Sequence, residues 1–172
     1  EVLNDIISAA ELTADDVVLE VGAGQGILTD ALAKRVKRVV AVELDQAFVP
    51  NLVERFAKRK NVEIVNADFL QWWGEKARAF RTAPVRSFSP ASAGCEGSGA
   101  LVPTASGDTM PKHPHKPLTG ALLRRVTKES DEHCFIDQAF KVVANLPYGI
   151  TSHALRILLE HEPRPRLIVV MV

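Results

Sequence analysis

The residues that decide the fold are Val17-Val18-Leu19-Glu20-Val21-Gly22-Ala23-Gly24-Gln25-Gly26-Ile27-Leu28-Thr29. A short apolar run ends at three alternating glycines, and apolar residues at helical spacing follow. This pattern predicts a buried strand that turns sharply into a helix. Glycine has no Cβ, so a ligand can lie against the main chain at the turn, where the first N–H groups of the helix are free to bind it. The turn is therefore the first candidate ligand site.

A carboxylate supports this interpretation over a simple tight turn. The second predicted strand, Arg38-Val39-Val40-Ala41-Val42-Glu43, ends in Glu43, about 20 residues after the first glycine, where nucleotide-binding α/β folds bind ribose hydroxyls. The glycine spacing is Gly-x-Gly-x-Gly, which differs from the Gly-x-Gly-x-x-Gly of dinucleotide-binding enzymes. With Glu20 in front, it resembles the first motif of methyltransferases that depend on S-adenosylmethionine (SAM).

Length and composition limit the class of protein. The 172 residues suffice for one domain with a sizeable core. Basic and acidic residues are equal at 21 each, so no overall charge indicates nucleic acid, although a local basic patch would be enough to bind it. Two cysteines form no disulfide framework, and no apolar run reaches the ~20 residues of a membrane span. We expect a cytoplasmic monomer with no membrane partner. The chain begins without methionine and ends in an apolar run, so we also expect a fragment.

Strands and helices alternate over most of the chain. An amphipathic helix is predicted at the start, where it can cover one side of the glycine turn. Further strands are predicted at 62–65, 140–144 and 166–172, and further helices at about 47–59, 72–80 and 152–159, the last capped by Thr151 or Ser152. The unbroken apolar character of the last strand favours a parallel sheet covered on both faces.

Residues 81 to about 134 interrupt this alternation. They are rich in proline, glycine, serine and alanine, and we interpret them as a disordered insertion between two sheet elements. Basic residues such as Lys112 and Arg124 could contact RNA phosphates, but a solvated loop is the favoured interpretation. The cysteines and histidines here have no zinc-finger spacing, so no metal site is predicted.

Asn66-Ala67-Asp68-Phe69 follows the third predicted strand, at the end of the sheet where open α/β folds bind ligands. Asp68 is placed to accept a hydrogen bond from an adenine amino group, and a helix cap is the competing interpretation. Trp72 and Trp73 come next; they could stack on bases, but packing in the core is favoured.

Asn145-Leu146-Pro147-Tyr148 follows the fourth predicted strand. Methyl transfer to an aromatic amine needs acceptors that hold the amino protons and aim the nitrogen lone pair at the methyl group. The Asn145 side chain and a main-chain carbonyl near Leu146 can do this. Pro147 stiffens the turn, and Tyr148 offers an aromatic face to a base taken out of its stack. Asn-x-Pro is also ordinary turn chemistry, but the glycine motif on the same chain favours the functional interpretation.

Together these motifs resemble the KsgA family of small-subunit ribosomal RNA (rRNA) adenine N6,N6-dimethyltransferases, with the Erm resistance methyltransferases as similar enzymes. The resemblance is carried by residues 20–29, 42–45, 66–68, 145–148 and 150–152, and it covers 1–80 and 135–172. It implies an α/β, Rossmann-like SAM-dependent methyltransferase fold with parallel sheet order 3-2-1-4-5, truncated before the last strands. Residues 1–172 would be the catalytic domain, interrupted by the insertion at about 81–134.

The resemblance also implies roles for the residues. The target adenine is held by the catalytic residues Asn145, Leu146, Pro147 and Tyr148. SAM is the methyl donor, with Glu43 on the ribose hydroxyls and Asp68 on the adenine amine; the implied cofactor-binding residues are Glu20, Gly22, Ala23, Gly24, Gly26, Glu43, Leu44, Asp68, Phe69 and Asn145.

The implied reaction is methylation, to the dimethyl state, of adenosine N6 in small-subunit rRNA or a pre-ribosomal subunit, with a role in ribosome biogenesis. The alternatives are an Erm-like large-subunit rRNA or DNA adenine methyltransferase, and a non-catalytic ribosome-assembly or nucleic-acid-binding factor of the same fold.

Overall fold

The computed structural model describes residues 2–82, 139–146 and 148–171. The predicted insertion lies outside these residues, except that its first two positions belong to a helix. Pro147, both cysteines and the basic residues Lys112 and Arg124 also lie outside the described residues.

Five helices and five strands alternate along the described part of the chain. Their bounds are α1 Val2–Ala9, β1 Val17–Val21, α2 Ile27–Ala33, β2 Arg38–Glu43, α3 Val49–Arg55, β3 Val62–Asn66, α4 Phe69–Thr82, β4 Phe140–Asn145, α5 Tyr148–Glu160 and β5 Leu167–Met171. None of these helices combines the length and the apolar character that crossing a membrane requires.

The five strands form one parallel sheet in the order β3-β2-β1-β4-β5, which confirms the predicted topology. The central strand β1 pairs with β2 and β4, so Val21 lies between Val42 and Ala144. In the outer pairs, Glu43 is opposite Asn66 and Asn145 is opposite Met171. Because all strands run the same way, their carboxyl ends share one edge of the sheet, and the motifs that follow them meet there.

The core lies on both faces of the sheet. Every residue of β1 is buried, as expected for a parallel strand covered on both sides. Trp73 is completely buried, with its ring centroid 5.6 Å from that of Phe140, and Trp72 packs beside it. The prediction that the tryptophans pack in the core is therefore confirmed. The edge strand β5 differs, because all five of its residues are only half-buried.

Three predicted helix boundaries are wrong. The helix α4 begins at Phe69, three residues before Trp72, because Asp68 caps it: the Leu70 N–H donates to Asp68 Oδ1 at 2.8 Å. The helix α5 begins at Tyr148, so the predicted caps Thr151 and Ser152 lie inside it. Its apolar stripe of Ile150, Ala154 and Leu158 packs on the core and extends the helix toward β4. The helix α3 ends at Arg55 rather than at 59, because tight turns follow it.

Candidate active site

A cavity of about 340 Å³ opens at the carboxyl edge of the sheet. Its walls come from α1, the glycine turn, the start of α2 and the ends of β4 and β5. The glycine turn and Asn145 line the same space, so the structure brings together the two motifs that the sequence singled out. The prediction that α1 covers one side of the turn is also confirmed, since Val2, Leu3 and Ile6 contribute to the wall.

A lysine that the sequence analysis missed holds α1 in place. The Nζ atom of Lys141 on β4 lies 2.9 Å from Asp16 Oδ2 and donates to the carbonyl of Ala10, just after α1, at 3.2 Å. Lys141 carries no motif, and only the sheet register places it under the end of α1. This contact fixes the helix that forms the outer wall of the cavity.

Each of the three positions in the turn requires glycine for a different structural reason. All have positive φ angles, 81° at Gly22, 52° at Gly24 and 77° at Gly26, which side-chain-bearing residues rarely adopt. A Cβ on Gly22 would lie 3.0 Å from the Asn145 carbonyl oxygen, and one on Gly26 would lie 2.8 Å from side-chain atoms of Leu52 and Phe56. A Cβ on Gly24 would meet nothing within 4 Å. Gly24 is thus the glycine that faces open space.

The close approach at Gly22 joins the two halves of the site. The Gly22 N–H donates to the Val42 carbonyl at 2.9 Å, which anchors the turn on β2. On its other side, Gly22 lies against the main chain of Asn145 at the end of β4. The main chain of the glycine turn therefore lies so close to the start of the Asn145–Tyr148 segment that a side chain at position 22 would crowd the Asn145 carbonyl.

Glu43 holds the glycine turn. Its buried carboxylate accepts hydrogen bonds from the Gly24 N–H at 2.7 Å and from the Asp45 N–H at 2.8 Å, one on each oxygen. A carboxylate oxygen can accept two hydrogen bonds, so each keeps capacity for one further donor. Leu44 next to it is largely exposed. Glu43 is bound to Gly24 but is not among the residues that line the cavity, and its role toward ribose hydroxyls stays a prediction.

The neighbouring strand ends add two polar groups. Asn66, whose side chain the sequence analysis gave no role, donates through Nδ2 to the Glu43 carbonyl at 2.8 Å and ties β3 to β2. Asp68 uses Oδ1 to cap α4, so the competing helix-cap interpretation describes a real contact. Among the described residues no donor contacts its second oxygen, Oδ2, and the contact of this side chain with an adenine amine stays a prediction.

Glu20 lies beneath the turn and does not line the cavity. It is completely buried, and burial raises the pKa of its carboxyl to about 8, with a smaller contribution from the nearby charge of Glu43. Thr29 lies close enough to oppose this rise. Within the described part of the chain, neither Glu20 oxygen nor the Thr29 hydroxyl makes a hydrogen bond of good geometry. The predicted contact of Glu20 with SAM would therefore require a rearrangement.

The Asn145–Tyr148 segment contains one buried side chain, which anchors it to the core, and two exposed side chains. The Leu146 side chain is buried in the core, and its N–H donates to the Met171 carbonyl at 3.2 Å. Asn145 is exposed at the cavity wall. Tyr148, the first residue of α5, is 88% exposed, so its ring is free to receive a base. Leu146 thus fixes the segment while Asn145 and Tyr148 face outward.

A comparison with protein families identifies the class. The family described as ribosomal RNA adenine dimethylase matches residues 1–172. The chain belongs to this family. Membership confirms the resemblance drawn from the motifs and the predicted Rossmann-like methyltransferase fold. It also confirms the predicted cofactor, because the methyltransferases of this family use SAM.

Curated relatives agree with the family. Ribosomal RNA small subunit methyltransferase A of Dehalococcoides mccartyi is 34% identical over 171 residues, which are 99% of this chain and 40% of the relative. The probable ribosomal RNA small subunit methyltransferase A of Methanosarcina barkeri is 54% identical over 69 residues, 40% of this chain and 24% of the relative. The chain therefore spans at most about 40% of the length of these relatives.

Two solved structures share the fold over almost the whole chain. The 23S rRNA methyltransferase ErmE is 25% identical with a TM-score of 0.55, covering 99% of this chain and 46% of that chain. A dimethyladenosine transferase from Plasmodium falciparum has the same TM-score of 0.55 at 19% identity, covering 98% of this chain and 40% of that one. At that identity the second likeness shows the fold alone.

Proposed function

We propose that this chain is the catalytic domain of a SAM-dependent methyltransferase that dimethylates N6 of adenosine in small-subunit rRNA. The observation that carries the proposal is the close approach of Gly22 to the main chain of Asn145 at the wall of one cavity. In a chain of the rRNA adenine dimethylase family, this proximity supports a methyl donor bound at the glycine turn beside an accepting amine held by Asn145.

The residues at the carboxyl edge fit SAM. The open face of Gly24 leaves room for a ligand against the main chain, and Glu43 has acceptor capacity for hydroxyl groups. Asp68 Oδ2, which contacts no donor within the described residues, can accept from an amine. When bound, SAM supplies a methyl group on a positively charged sulfur. The role of the protein is to bind this donor in one orientation and to bring the accepting nitrogen into line with it.

The acceptor side rests on Asn145 and Tyr148. The Asn145 side-chain carbonyl can accept a hydrogen bond from the adenine amino group, which turns the nitrogen lone pair toward the donor. The exposed Tyr148 ring can stack on the base once it has left its helix. The buried Leu146 anchors the main chain directly after Asn145, and its N–H donates to the Met171 carbonyl at 3.2 Å, which supports Asn145 as the group that orients the amine.

The choice of small-subunit rRNA follows the relatives. Those named above are small subunit methyltransferases, whereas ErmE, named as a 23S rRNA methyltransferase, shares the fold at lower identity. We therefore favour small-subunit rRNA over the Erm-like and DNA alternatives. We further propose that the protein acts as a cytoplasmic monomer on small-subunit rRNA or a pre-ribosomal subunit, with a role in ribosome biogenesis.

The test is methyl transfer to unmodified small-subunit rRNA transcripts, with methylated nucleosides identified by mass spectrometry. We expect dimethyladenosine with the wild-type chain, and loss of product in Asn145→Ala even at SAM concentrations that saturate this variant. The matched control is Asn51→Ala, an exposed asparagine of α3 away from the cavity, which should not change the rate. Saturable SAM and RNA binding without transfer would favour the non-catalytic alternative, and transfer to large-subunit rRNA or DNA instead would favour the other enzymes.

A further inference from the structure

Six basic side chains gather at the amino edge of the sheet, on the side opposite the cavity. They belong to the segment that enters β2 and to the segment that enters β3, and they are Lys34, Arg35, Lys37, Lys58, Arg59 and Lys60. We call these six residues the amino-edge basic surface. The charge of the whole chain is balanced at zero, so this is a local excess.

The fold, rather than the sequence order, brings these two segments together. Val39 is paired with Val62, and the Val39 N–H donates to the Asn61 carbonyl at 2.8 Å. The Asn61 side-chain amide donates to the carbonyls of Ala33 and Val36, at 2.9 and 3.2 Å. The residue that follows Lys60 is thus bound to both ends of the stretch 33–36. The two basic segments are therefore neighbours in a fixed arrangement.

Little of this charge is neutralised internally. Asp30 lies 2.6 Å from Lys34 and 3.4 Å from Arg59, and among the described residues it is the one carboxylate that contacts the surface. Lys37, Lys58 and Lys60 are exposed and make no ion pair within the described part of the chain. Asp15, exposed on the loop before β1, adds one nearby negative charge. The surface therefore keeps a net positive charge that an anion can use.

The composition of the surface indicates a phosphate backbone as the anion. Lysine and arginine side chains provide point charges and donors for phosphate oxygens. Among the described residues, no large apolar side chain of the stretches 33–38 and 57–62 is exposed, so this surface offers no platform for stacking bases. Recognition here would follow the shape and charge of an RNA and not its sequence.

We propose that the amino-edge basic surface binds the phosphate backbone of a second segment of the rRNA, away from the target adenosine. The proposal rests on the proposed function for the substrate being RNA. Strands of five residues separate the surface from the cavity edge by roughly 17 Å. A folded rRNA can reach both edges of the sheet at once, whereas a short oligonucleotide that fills the cavity cannot. The surface would therefore favour structured substrates over short ones.

The test is the triple variant Lys37→Gln, Lys58→Gln, Lys60→Gln, measured by fluorescence anisotropy with small-subunit rRNA transcripts over a series of salt concentrations. The logarithm of the affinity falls as the logarithm of the salt concentration rises, and each lost phosphate contact makes this slope less steep by about 0.7 to 0.9. Loss of three contacts should reduce the steepness by about 2 to 3 and weaken binding on the order of 100-fold at 0.1 M salt. SAM affinity should not change, and neither should the rate on a short oligonucleotide.

The matched control removes three basic side chains of α4 and α5, in Lys76→Gln, Arg78→Gln, Arg156→Gln, and should change the magnitude of the slope by much less. Equal slopes for the wild type and the lysine variant would overturn the proposal. It would also be overturned if the control variant lost as much RNA affinity as the lysine variant. Thermal melts verify that both variants fold. The two proposals fail separately: wild-type RNA binding with the expected slope change but no methyl transfer would refute only the catalytic function.

Discussion

Substituting alanine for Gly24 should mainly weaken SAM binding, whereas substituting it for Gly26 should mainly lower stability. Both glycines have positive φ angles, 52° and 77°, and a left-handed conformation costs an L-residue about 1–2 kcal/mol. At Gly24 this backbone strain is the whole cost, because the added methyl meets nothing within 4 Å. At Gly26 the methyl would lie 2.8 Å from both Leu52 and Phe56, and overpacking a core adds about 1–3 kcal/mol.

We therefore expect Gly24→Ala to lower the free energy of unfolding by about 1–2 kcal/mol and Gly26→Ala by about 2–5 kcal/mol. Gly24→Ala should nevertheless lose most of its affinity for SAM, because its methyl occupies the open face of the turn. Urea denaturation measures the first quantity and calorimetric titration with SAM the second. A folded Gly24→Ala variant that binds SAM like the wild type would refute the assignment of this face to the cofactor. Equal stabilities of the two variants would refute the packing argument.

Two further predictions concern single side chains of the site. Glu20 has its pKa raised from 4.5 to about 8 by burial, so the folded state holds a proton that the unfolded state releases; the free energy of unfolding should fall as pH rises from about 4.5 to 8, by at most about 1.4 kcal/mol per pH unit. In Glu20→Gln the free energy of unfolding, measured by urea denaturation at pH 5 and at pH 8, should lack this decrease. The same decrease in the variant and the wild type would contradict the buried, protonated state of Glu20. Tyr148→Ala should leave the melting temperature unchanged, because the ring is 88% exposed, but lower kcat/KM on RNA. Base stacking contributes about 1–3 kcal/mol, so kcat/KM should fall roughly 5- to 150-fold. Tyr148→Phe, which keeps the ring, is the active control, and a fully active alanine variant would exclude stacking.

The main features of the fold could be read from local sequence. The apolar β-branched runs specify strands, the spacing of Ile27, Leu28 and Leu32 specifies a helix after the turn, and the alternation specifies a parallel sheet. Helix boundaries were less predictable, because they depend on contacts made after folding. The start of α5 is decided by the packing of Ile150 on the core, and that of α4 by the Asp68 cap.

The site was predicted as a set of motifs and completed only by the tertiary structure. The sequence identified the glycine turn, Glu43, Asp68 and Asn145, since each lies at the end of a predicted strand or just after it. It gave no role to the Asn66 side chain or to Lys141, whose hydrogen bonds to Glu43 and Ala10 cross between elements far apart in the chain.

By itself, then, the sequence determined the strand-turn-helix unit, the alternation of elements and the residue types available for chemistry, because these depend on local periodicity and backbone preference. Tertiary structure decided which of these residues meet. It set Gly22 against Asn145, buried Glu20 beneath the turn, and joined the basic segments before β2 and β3. The physical reason is that parallel pairing brings the ends of distant segments to one edge, and register and packing fix their contacts only once the sheet has formed.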